Sequence, residues 1–462
     1  MNKYNRLFTD TVIFGIGNFT TKFIYFFLMP IYTSALTVEE FGLADLLNNS
    51  LFLIIPILTL SITDAVFRFL LDRDSRPATL LSEGLKILAY SYIVALFALI
   101  CIYYFSSKLY WVLFFVLYIT ESLKNLFAQF TRGLGKVKTF AINGILGSFF
   151  LLLSTYILLK RLHWGINGYL LSFIIGNIIS ILYLLWRVNI ISYIKLSSRN
   201  KEQLKKMLIY SLPLIPNSLS WWMTNISSRY IIAGYCGLGI AGLFSSASKI
   251  PALINVVASI FQQSWQYASV KEYQESTESI FYSRVFHYYS FFIIVFGSVT
   301  LFILPYISRL VLLGEFYEAW IYTPLLLFSA MLGCFSIFFG VVYIIVKNNK
   351  KGLYTTLMGA STNLLLCLIL IPFIGVAGAL ISNIISYLII VGARIWDTKK
   401  YISIRIEWLR LTVSGALVLI QAIVMSISFD FRTIVSAVIM LLLVALYRRD
   451  FIGIYHFFKS TL

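Results

Sequence analysis

Long runs of apolar residues, separated by short polar segments, follow one another along the whole chain. A helix needs about 20 predominantly apolar residues to cross a bilayer, and each run is at least that long. The runs are continuously apolar rather than alternating, which predicts membrane-spanning helices and not barrel strands. We predict fourteen transmembrane helices, with twelve as the alternative, at about 8–35, 41–71, 83–105, 109–132, 137–160, 165–189, 207–235, 238–269, 281–306, 322–346, 351–372, 374–397, 407–428 and 430–450.

One polar connection is much longer than the others and divides the chain. It covers residues 190–206, and we interpret it as a cytoplasmic linker. Before it lies an N-terminal lobe of six helices, 1–189, and after it a C-terminal lobe of six helices, 207–397. Two additional helices and a cytoplasmic tail occupy 398–462.

The two lobes repeat each other in two places. Gly42 and Leu43 correspond to Gly242 and Leu243, and GINGYLLSFII at 165–175 corresponds to GVAGALISNII at 375–385. Together these repeats predict duplicated, pseudo-symmetric halves around a central cavity. Transporters of this kind bind their substrate between the two repeats.

Composition agrees with an all-α polytopic membrane protein. The chain is 60% hydrophobic and 12% charged, with a mean hydropathy of +0.86, whereas soluble domains carry about 25% charged residues. The net charge of +18 does not indicate a nucleic-acid partner, because most Lys and Arg residues fall in loops on one side of the predicted spans. This positive-inside pattern predicts that both termini are cytoplasmic. The four cysteines and three histidines are scattered, so no metal site is predicted.

Three cations deep inside predicted spans have no acidic residue at helical spacing: Lys22, Arg229 and Lys249. A cation at the centre of a bilayer costs about 2.5–3.5 kcal/mol on insertion scales, so it normally faces a cavity. Such a cavity would bind an anion, most naturally a phosphate or pyrophosphate, unless acids of other helices neutralise the cations. The neighbours at helical spacing that we predict contact a sugar or line the cavity are Asn18, Tyr25, Trp222 and Asn225.

Two pairs of opposite charges have the spacing of one helical turn. Lys124 follows Glu121 by three positions, and Arg68 follows Asp64 by four. Residues at these spacings share a helix face, which favours an ion pair within the helix. The first pair is predicted to be structural, and the second is open between a structural role and a role in a gate.

Four parts of the chain carry a family resemblance: FGIGNFTTKFIYFFLMPIYTSALTVEEFGLADLL, then SITDAVFRF, then YSLPLIPNSL followed by SRYIIAGYCGLGIAGLFSSASKI, and finally GVAGALISNIISYLI. In this order and spacing they resemble the polysaccharide-transporter branch of the multidrug/oligosaccharidyl-lipid/polysaccharide (MOP) exporter superfamily. That branch includes the Wzx-type flippases of O-antigen and other lipid-linked oligosaccharides. The resemblance spans essentially the whole chain.

The resemblance implies a flippase rather than an enzyme. Its substrate would be an undecaprenyl-pyrophosphate-linked oligosaccharide, such as an O-antigen repeat unit, moved by alternating access from the cytoplasmic to the periplasmic face of the bacterial inner membrane. Lys22, Arg229 and Lys249 would hold the pyrophosphate. No cofactor is implied, although H⁺ or Na⁺ is a candidate coupling ion. Besides membrane lipids, the candidate partners are the polysaccharide polymerase and the chain-length regulator.

One position departs from the family pattern. Relatives frequently have Asp-Arg-Tyr where this chain has Ser228, Arg229 and Tyr230. A role of that Asp in cation coupling is therefore not carried over to this chain.

Three other functions remain as alternatives at this point. A lipid II flippase also needs a cationic cavity and fourteen helices, whereas a cation-coupled drug exporter of the same superfamily is expected to have unpaired acids in its cavity. A polyprenyl-dependent glycosyltransferase or a polysaccharide polymerase is less favoured. The loop that holds Glu39 and Glu40 has only about five residues, too few to build a sugar site.

The predicted orientation can be tested by thiol labelling in a variant whose natural cysteines are replaced by serine. Asn200→Cys and Lys350→Cys are expected to react with a membrane-impermeant reagent only from the cytoplasmic side. His163→Cys and Gly314→Cys are expected to react only from the periplasmic side. The cysteine-free variant is the control, and an inverted pattern would contradict the orientation.

Overall fold

The structure is a computed structural model, and it describes most of the chain between residue 20 and residue 450. The described residues are 20–21, 24, 26–72, 75–195, 200–255, 258, 261–262, 265–266, 269, 279–346, 348–427, 431–448 and 450.

Helices account for nearly all of the described residues. In chain order they are α1 Phe26–Ala35, α2 Val38–Leu58, α3 Ile62–Leu70, α4 Pro77–Phe105, α5 Leu109–Gly133, α6 Val137–Thr155, α7 Gly165–Val188, α8 Lys201–Ser211, α9 Leu214–Asn225, α10 Ser227–Cys236, α11 Leu238–Ala247, α12 Ser279–Val311, α13 Thr323–Ile345, α14 Asn349–Ile374, α15 Val376–Thr398, α16 Trp408–Ser426 and α17 Arg432–Leu446. A π-helical turn, Tyr156–Arg161, extends α6, and 3-10 turns form Ile190–Tyr193 and Gly314–Tyr322.

The chain is a multi-pass helical membrane protein. Within the described residues, ten helices are long and apolar enough to cross a bilayer. Three shorter apolar helices, α1, α11 and α17, lie where the first, eighth and fourteenth spans are predicted. The total of fourteen spans stays a prediction, because the second and seventh predicted spans have a different structure.

The predicted span 41–71 is wrong in its second half. Helix α2 ends at Leu58, and Leu60 and Ser61 then take left-handed backbone conformations, with φ of 53° and 50°. Pro56 lies two residues before this end and has no N–H to donate. The Thr59 hydroxyl donates to the Ile55 carbonyl at 2.7 Å, which competes with helix continuation. The SITDAVFRF segment therefore forms most of a separate short helix, α3, after the span.

The predicted span 207–235 is also wrong as one continuous helix. It is divided into α8, α9 and α10. The first break lies at Leu212 and Pro213, because proline cannot donate the helical hydrogen bond at its position. The second break is at Ile226, which has φ of −125° and precedes α10.

The segment predicted as a linker is attached to its neighbours by hydrogen bonds. The Lys195 N–H donates to the Ser82 hydroxyl at 2.9 Å, and the Asn200 N–H donates to Glu83 Oε1 at 3.2 Å. In α8, which begins within this segment, Met207 is buried in the core beside α3 and α4. Residues 196–199 lie outside the described part of the chain.

Two compact units make up the chain. The first covers residues 1–222 and the second 223–462. The core of the first unit is mainly aliphatic, with Val66, Leu81 and Leu126 fully buried. The core of the second unit is rich in stacked aromatic rings, with Trp265 lying 4.6 Å from Phe338 between ring centroids.

The two repeated sequences take the same local structure in each unit. Gly42 and Gly242 are each the fifth residue of a helix, α2 and α11. Gly165 and Gly375 lie at the starts of α7 and α15 with φ of 52° and 59°. Because residues other than glycine rarely adopt this region, both helix starts depend on glycine. Gly378, three residues on in the second unit, lies against the end of the preceding helix, where a Cβ would come within 2.7 Å of the Leu370 carbonyl carbon.

This close approach yields a stability prediction. Gly378→Ala is expected to destabilise the protein by about 1–3 kcal/mol, because the added methyl group would overlap backbone atoms of α14 that cannot move easily. The measurement is thermal unfolding of the detergent-purified protein. Gly392→Ala in the same helix is the matched control, since a Cβ there has no heavy atom within 4 Å. Equal melting temperatures for the two variants would contradict the prediction.

Candidate functional site

Of the three cations predicted to bind an anion, the structure describes two, Arg229 and Lys249. Arg229 and Lys249 belong to the second unit and are both half-buried. Lys22 lies outside the described residues, as do the predicted sugar contacts Asn18 and Tyr25. Their roles therefore stay predictions.

Arg229 is the third residue of α10, directly after the break at Ile226. Its Nη2 donates to the Ser248 hydroxyl at 2.8 Å, and that hydroxyl donates to the Ser245 carbonyl at 2.7 Å. Ser248 is the C-cap of α11. The guanidinium is therefore tied to the end of the neighbouring helix, and this hydrogen bond fixes its direction.

Lys249 directly follows the serine that Arg229 binds. Helix α11 ends at Ala247, and the Lys249 N–H donates to the Ser246 carbonyl at 3.1 Å in the turn that follows. Pro251 comes two residues later, which restricts the preceding backbone. The structure thus brings together two of the three predicted cations at the end of α11. A planar guanidinium with five donors and a compact ammonium each suit the oxygens of a phosphate group.

The predicted polar face around Arg229 is wrong, because the helix is broken at Ile226. The spacing of Trp222, Asn225 and Arg229 defines one face only if the helix is continuous, and it is not. Asn225 lies in the second unit, where its Oδ1 accepts a hydrogen bond from the Tyr387 hydroxyl at 2.9 Å. Trp222 is half-buried at the end of the first unit.

The ion pair predicted from the spacing of Glu121 and Lys124 is present in α5. Lys124 Nζ lies 2.8 Å and 2.7 Å from the two Glu121 carboxylate oxygens. It also donates to Asn177 Oδ1 at 2.9 Å, a residue of α7. An ammonium has three N–H donors, so these three contacts account for all of them.

The pairing of Asp64 with Arg68 is wrong. Arg68 Nη1 instead lies 2.6 Å from Asp72 Oδ1, one turn further along the chain, and both side chains are half exposed. Asp64 lies in the first turn of α3 and Arg68 in its last turn, so the arginine side chain also reaches Asp72, just beyond the end of the helix. Exposed pairs of this kind contribute roughly 0–1 kcal/mol to stability.

The sequence interpretation did not single out Arg394, which is half-buried, or Glu83, which is buried. Arg394 lies within α15 and donates to Ser336 on α13 and to Thr355 and Thr356 on α14. Glu83 in α4 is 2% exposed, and its Oε1 lies 2.9 Å from Lys86 Nζ. Both were near predicted span ends, where charges are common.

The structure gives Glu40, one of the two acidic residues of the first predicted outer loop, a structural role. Glu40 Oε2 accepts from the Thr37 N–H at 3.1 Å, and the Thr37 hydroxyl accepts from the Glu40 N–H at 3.2 Å. This reciprocal capping box begins α2. No group of three His, Cys, Asp or Glu residues that could hold a metal ion occurs among the residues that the structure describes.

Comparisons with known proteins agree on a family and a fold. The family model described as "Polysaccharide biosynthesis protein" matches residues 7–266, which is more than half of the chain. No curated protein matches the chain.

Three solved structures show the fold. A lipid II flippase, MurJ, in an inward closed conformation has a TM-score of 0.67 at 13% identity, covering 96% of this chain and 100% of that one. An inward-facing multidrug resistance MATE family transporter of the MOP superfamily has a TM-score of 0.66 at 15% identity, covering 84% and 99%. A MOP superfamily transporter from Pyrococcus furiosus has a TM-score of 0.53 at 14% identity, covering 84% and 95%. The TM-scores establish that the chain shares its fold with these three proteins.

The match over residues 7–266 and the transmembrane helical architecture lead to one conclusion. The chain belongs to the polysaccharide biosynthesis protein family, and it shares its fold with solved transporters of the MOP superfamily.

Proposed function

We propose that the chain is a flippase for an undecaprenyl-pyrophosphate-linked oligosaccharide, such as an O-antigen or similar repeat unit. It moves this substrate from the cytoplasmic to the periplasmic face of the bacterial inner membrane by alternating access of two six-helix lobes, 1–189 and 207–397. The observation that carries the proposal is the pair of cations at the end of α11 in a member of a polysaccharide family.

Arg229 and Lys249 bind the pyrophosphate in this proposal. The guanidinium of Arg229 offers two parallel donors to phosphate oxygens, and the Ser248 hydroxyl holds it in position. Lys249, the residue after Ser248, adds a compact positive charge. Lys22 supplies a third charge, as the sequence predicts. Helix α10 begins immediately before Arg229, and non-helical backbone at membrane depth is tolerated where it is enclosed by protein or lines a water-filled cavity.

The family match favours a polysaccharide precursor over the substrates of relatives that share only the fold. The structural likeness covers both a lipid II flippase and a multidrug transporter at 13% and 15% identity. It therefore favours neither of those two substrates. In the proposed setting both termini are cytoplasmic, and the polymerase and chain-length regulator act on the flipped repeat unit.

Removing the arginine tests the role in pyrophosphate binding. Arg229→Ala is expected to lower glycan export at least about tenfold, because charge-assisted hydrogen bonds contribute about 1.5–3 kcal/mol. Arg229→Lys is expected to retain part of the activity, since it keeps the charge and loses the two-pronged contact. Export is measured in a deletion strain and normalised to the amount of membrane-inserted protein.

The matched control for this series is Arg284→Ala, an exposed arginine of α12 in the same unit, which is expected to export normally. Normal surface display by Arg229→Ala at native expression would overturn the proposed role.

The serine that positions Arg229 yields a second prediction. Ser248→Ala removes the 2.8 Å hydrogen bond to the guanidinium and is expected to lower export about three- to tenfold, less than the loss of Arg229 itself. Ser245→Ala is the matched control. Its hydroxyl is buried without a hydrogen-bond partner in the structure, so its removal is expected to be nearly neutral. The result would speak against a positioning role if both serine variants exported equally.

A further inference from the structure

A cavity with several polar lining residues lies inside the first unit. It has a volume of about 220 Å³ and is enclosed mainly by α5, α6 and α7. Each of these helices turns a polar stripe toward it, as expected for polar residues of membrane helices that face the bundle interior. We name it the amide pocket, after lining residues that include Gln129, Asn143, Asn177, Ser180, Phe140 and Phe173.

Two side-chain oxygens of the amide pocket are buried and have no hydrogen-bond partner among the residues that the structure describes. They are Oε1 of Gln129 and Oδ1 of Asn143. Asn143 is only 4% exposed. Buried side-chain oxygens in native proteins are nearly always hydrogen-bonded, and an exception calls for an explanation. Both atoms are acceptors, so the partner that suits them is a hydrogen-bond donor.

The charge of the amide pocket restricts what that donor is. Among the lining residues that the structure describes, Lys124 is the one charged side chain, and its ammonium is neutralised by Glu121 and saturated by the bond to Asn177. An anion would face two carbonyl oxygens, which repel it. A bare cation would need a carboxylate that is not already paired. A neutral group that carries hydroxyl donors is not repelled by the carbonyl oxygens and needs no carboxylate.

Shape and lining point to the same class of ligand. A second cavity of about 310 Å³ adjoins the amide pocket and shares Asn125 and Phe173 with it. Drug-sized sites have volumes of about 300–1,000 Å³, so the amide pocket itself suits a single small ring and not a whole oligosaccharide. The Phe140 and Phe173 side chains supply apolar surface beside the amides, a combination suited to a ring with one apolar face and several hydroxyl groups.

We propose that the amide pocket binds one neutral, hydroxyl-bearing sugar ring of the transported glycan. The Gln129 and Asn143 side-chain oxygens accept hydrogen bonds from the hydroxyl groups, and the Glu121–Lys124 pair keeps the pocket neutral. This inference rests on the proposed flippase function, and it adds a sugar contact to the pyrophosphate contact made by Arg229 and Lys249.

The test uses soluble sugars without a pyrophosphate or a lipid. A panel of neutral hexoses, 6-deoxyhexoses, pentoses and N-acetylhexosamines is added singly to the purified full-length protein in nanodiscs. Binding is measured by saturation-transfer NMR on the sugar protons. At least one sugar is expected to bind the wild-type protein. Gln129→Leu and Asn143→Leu, which are close in size to the native residues but lack the acceptor, are each expected to weaken that binding about tenfold.

The matched control is Asn167→Leu. Asn167 also has a buried Oδ1 without a partner, but it does not line the amide pocket, so its replacement is expected to leave sugar binding unchanged. Folding of every variant is checked by size-exclusion chromatography and thermal unfolding. If Asn143→Leu does not fold, Gln129→Leu decides the outcome, since Gln129 is only half-buried.

Two results would overturn the sugar site. One is that no sugar of the panel binds the wild-type protein, which would leave the pocket to ordered water. The other is that binding occurs but is equally strong in the Gln129 and Asn143 variants. Neither result bears on the pyrophosphate site, because Arg229→Ala is tested by export and is expected to bind the soluble sugar normally. Loss of the flippase proposal would appear instead as normal export by Arg229→Ala.

Discussion

The absence of water in the bilayer interior is the constraint on which the structure depends. Each polar group within a span must find its partner inside the protein. Gln421 of α16 illustrates this, because its amide bonds Ser298 of α12 through both donor and acceptor and also donates to Ser436 of α17. Arg394 does the same for α13, α14 and α15. These buried polar contacts join helices whose remaining surfaces are as apolar as the lipid, and they fix which helices are neighbours.

The absence of water in the bilayer interior also explains where the helices are interrupted. The break at Ile226 precedes the helix that carries Arg229, and the serine at the end of the next helix holds the guanidinium. A break of this kind exposes backbone groups that lipid cannot satisfy, so it occurs where protein or an aqueous cavity can. The position of the break therefore supports the assignment of Arg229 to a site that an anionic headgroup can reach.

The two units use the same local devices on different cores. Positive φ angles at Gly165 and Gly375 start the corresponding helices α7 and α15. The residues that follow these glycines differ between the two units. The polar groups inside the two units differ as well. In the first unit these are Asn177 and its neighbours around the Glu121–Lys124 pair, whereas in the second Tyr387 bonds Asn225. Duplicated local structure thus supports two different internal environments, which fits a transporter whose substrate has an anionic end and a neutral glycan.

The sequence by itself determined the multi-pass helical class, most of the spans, the correspondence of 165–175 with 375–385, the Glu121–Lys124 pair and the family. Each follows from a periodicity, a run length or a short spacing, because local geometry on one helix decides it. Only the tertiary structure decided that 41–71 and 207–235 are broken, that Arg68 pairs with Asp72, and that Arg229 binds Ser248. It also placed Gln129 and Asn143 around one cavity. The Arg229–Ser248 bond and the cavity depend on which helices become neighbours, and an apolar run carries no information about the helix that will lie beside it. The two breaks and the Arg68–Asp72 pair are local, but a run of apolar residues does not show where a helix ends within it.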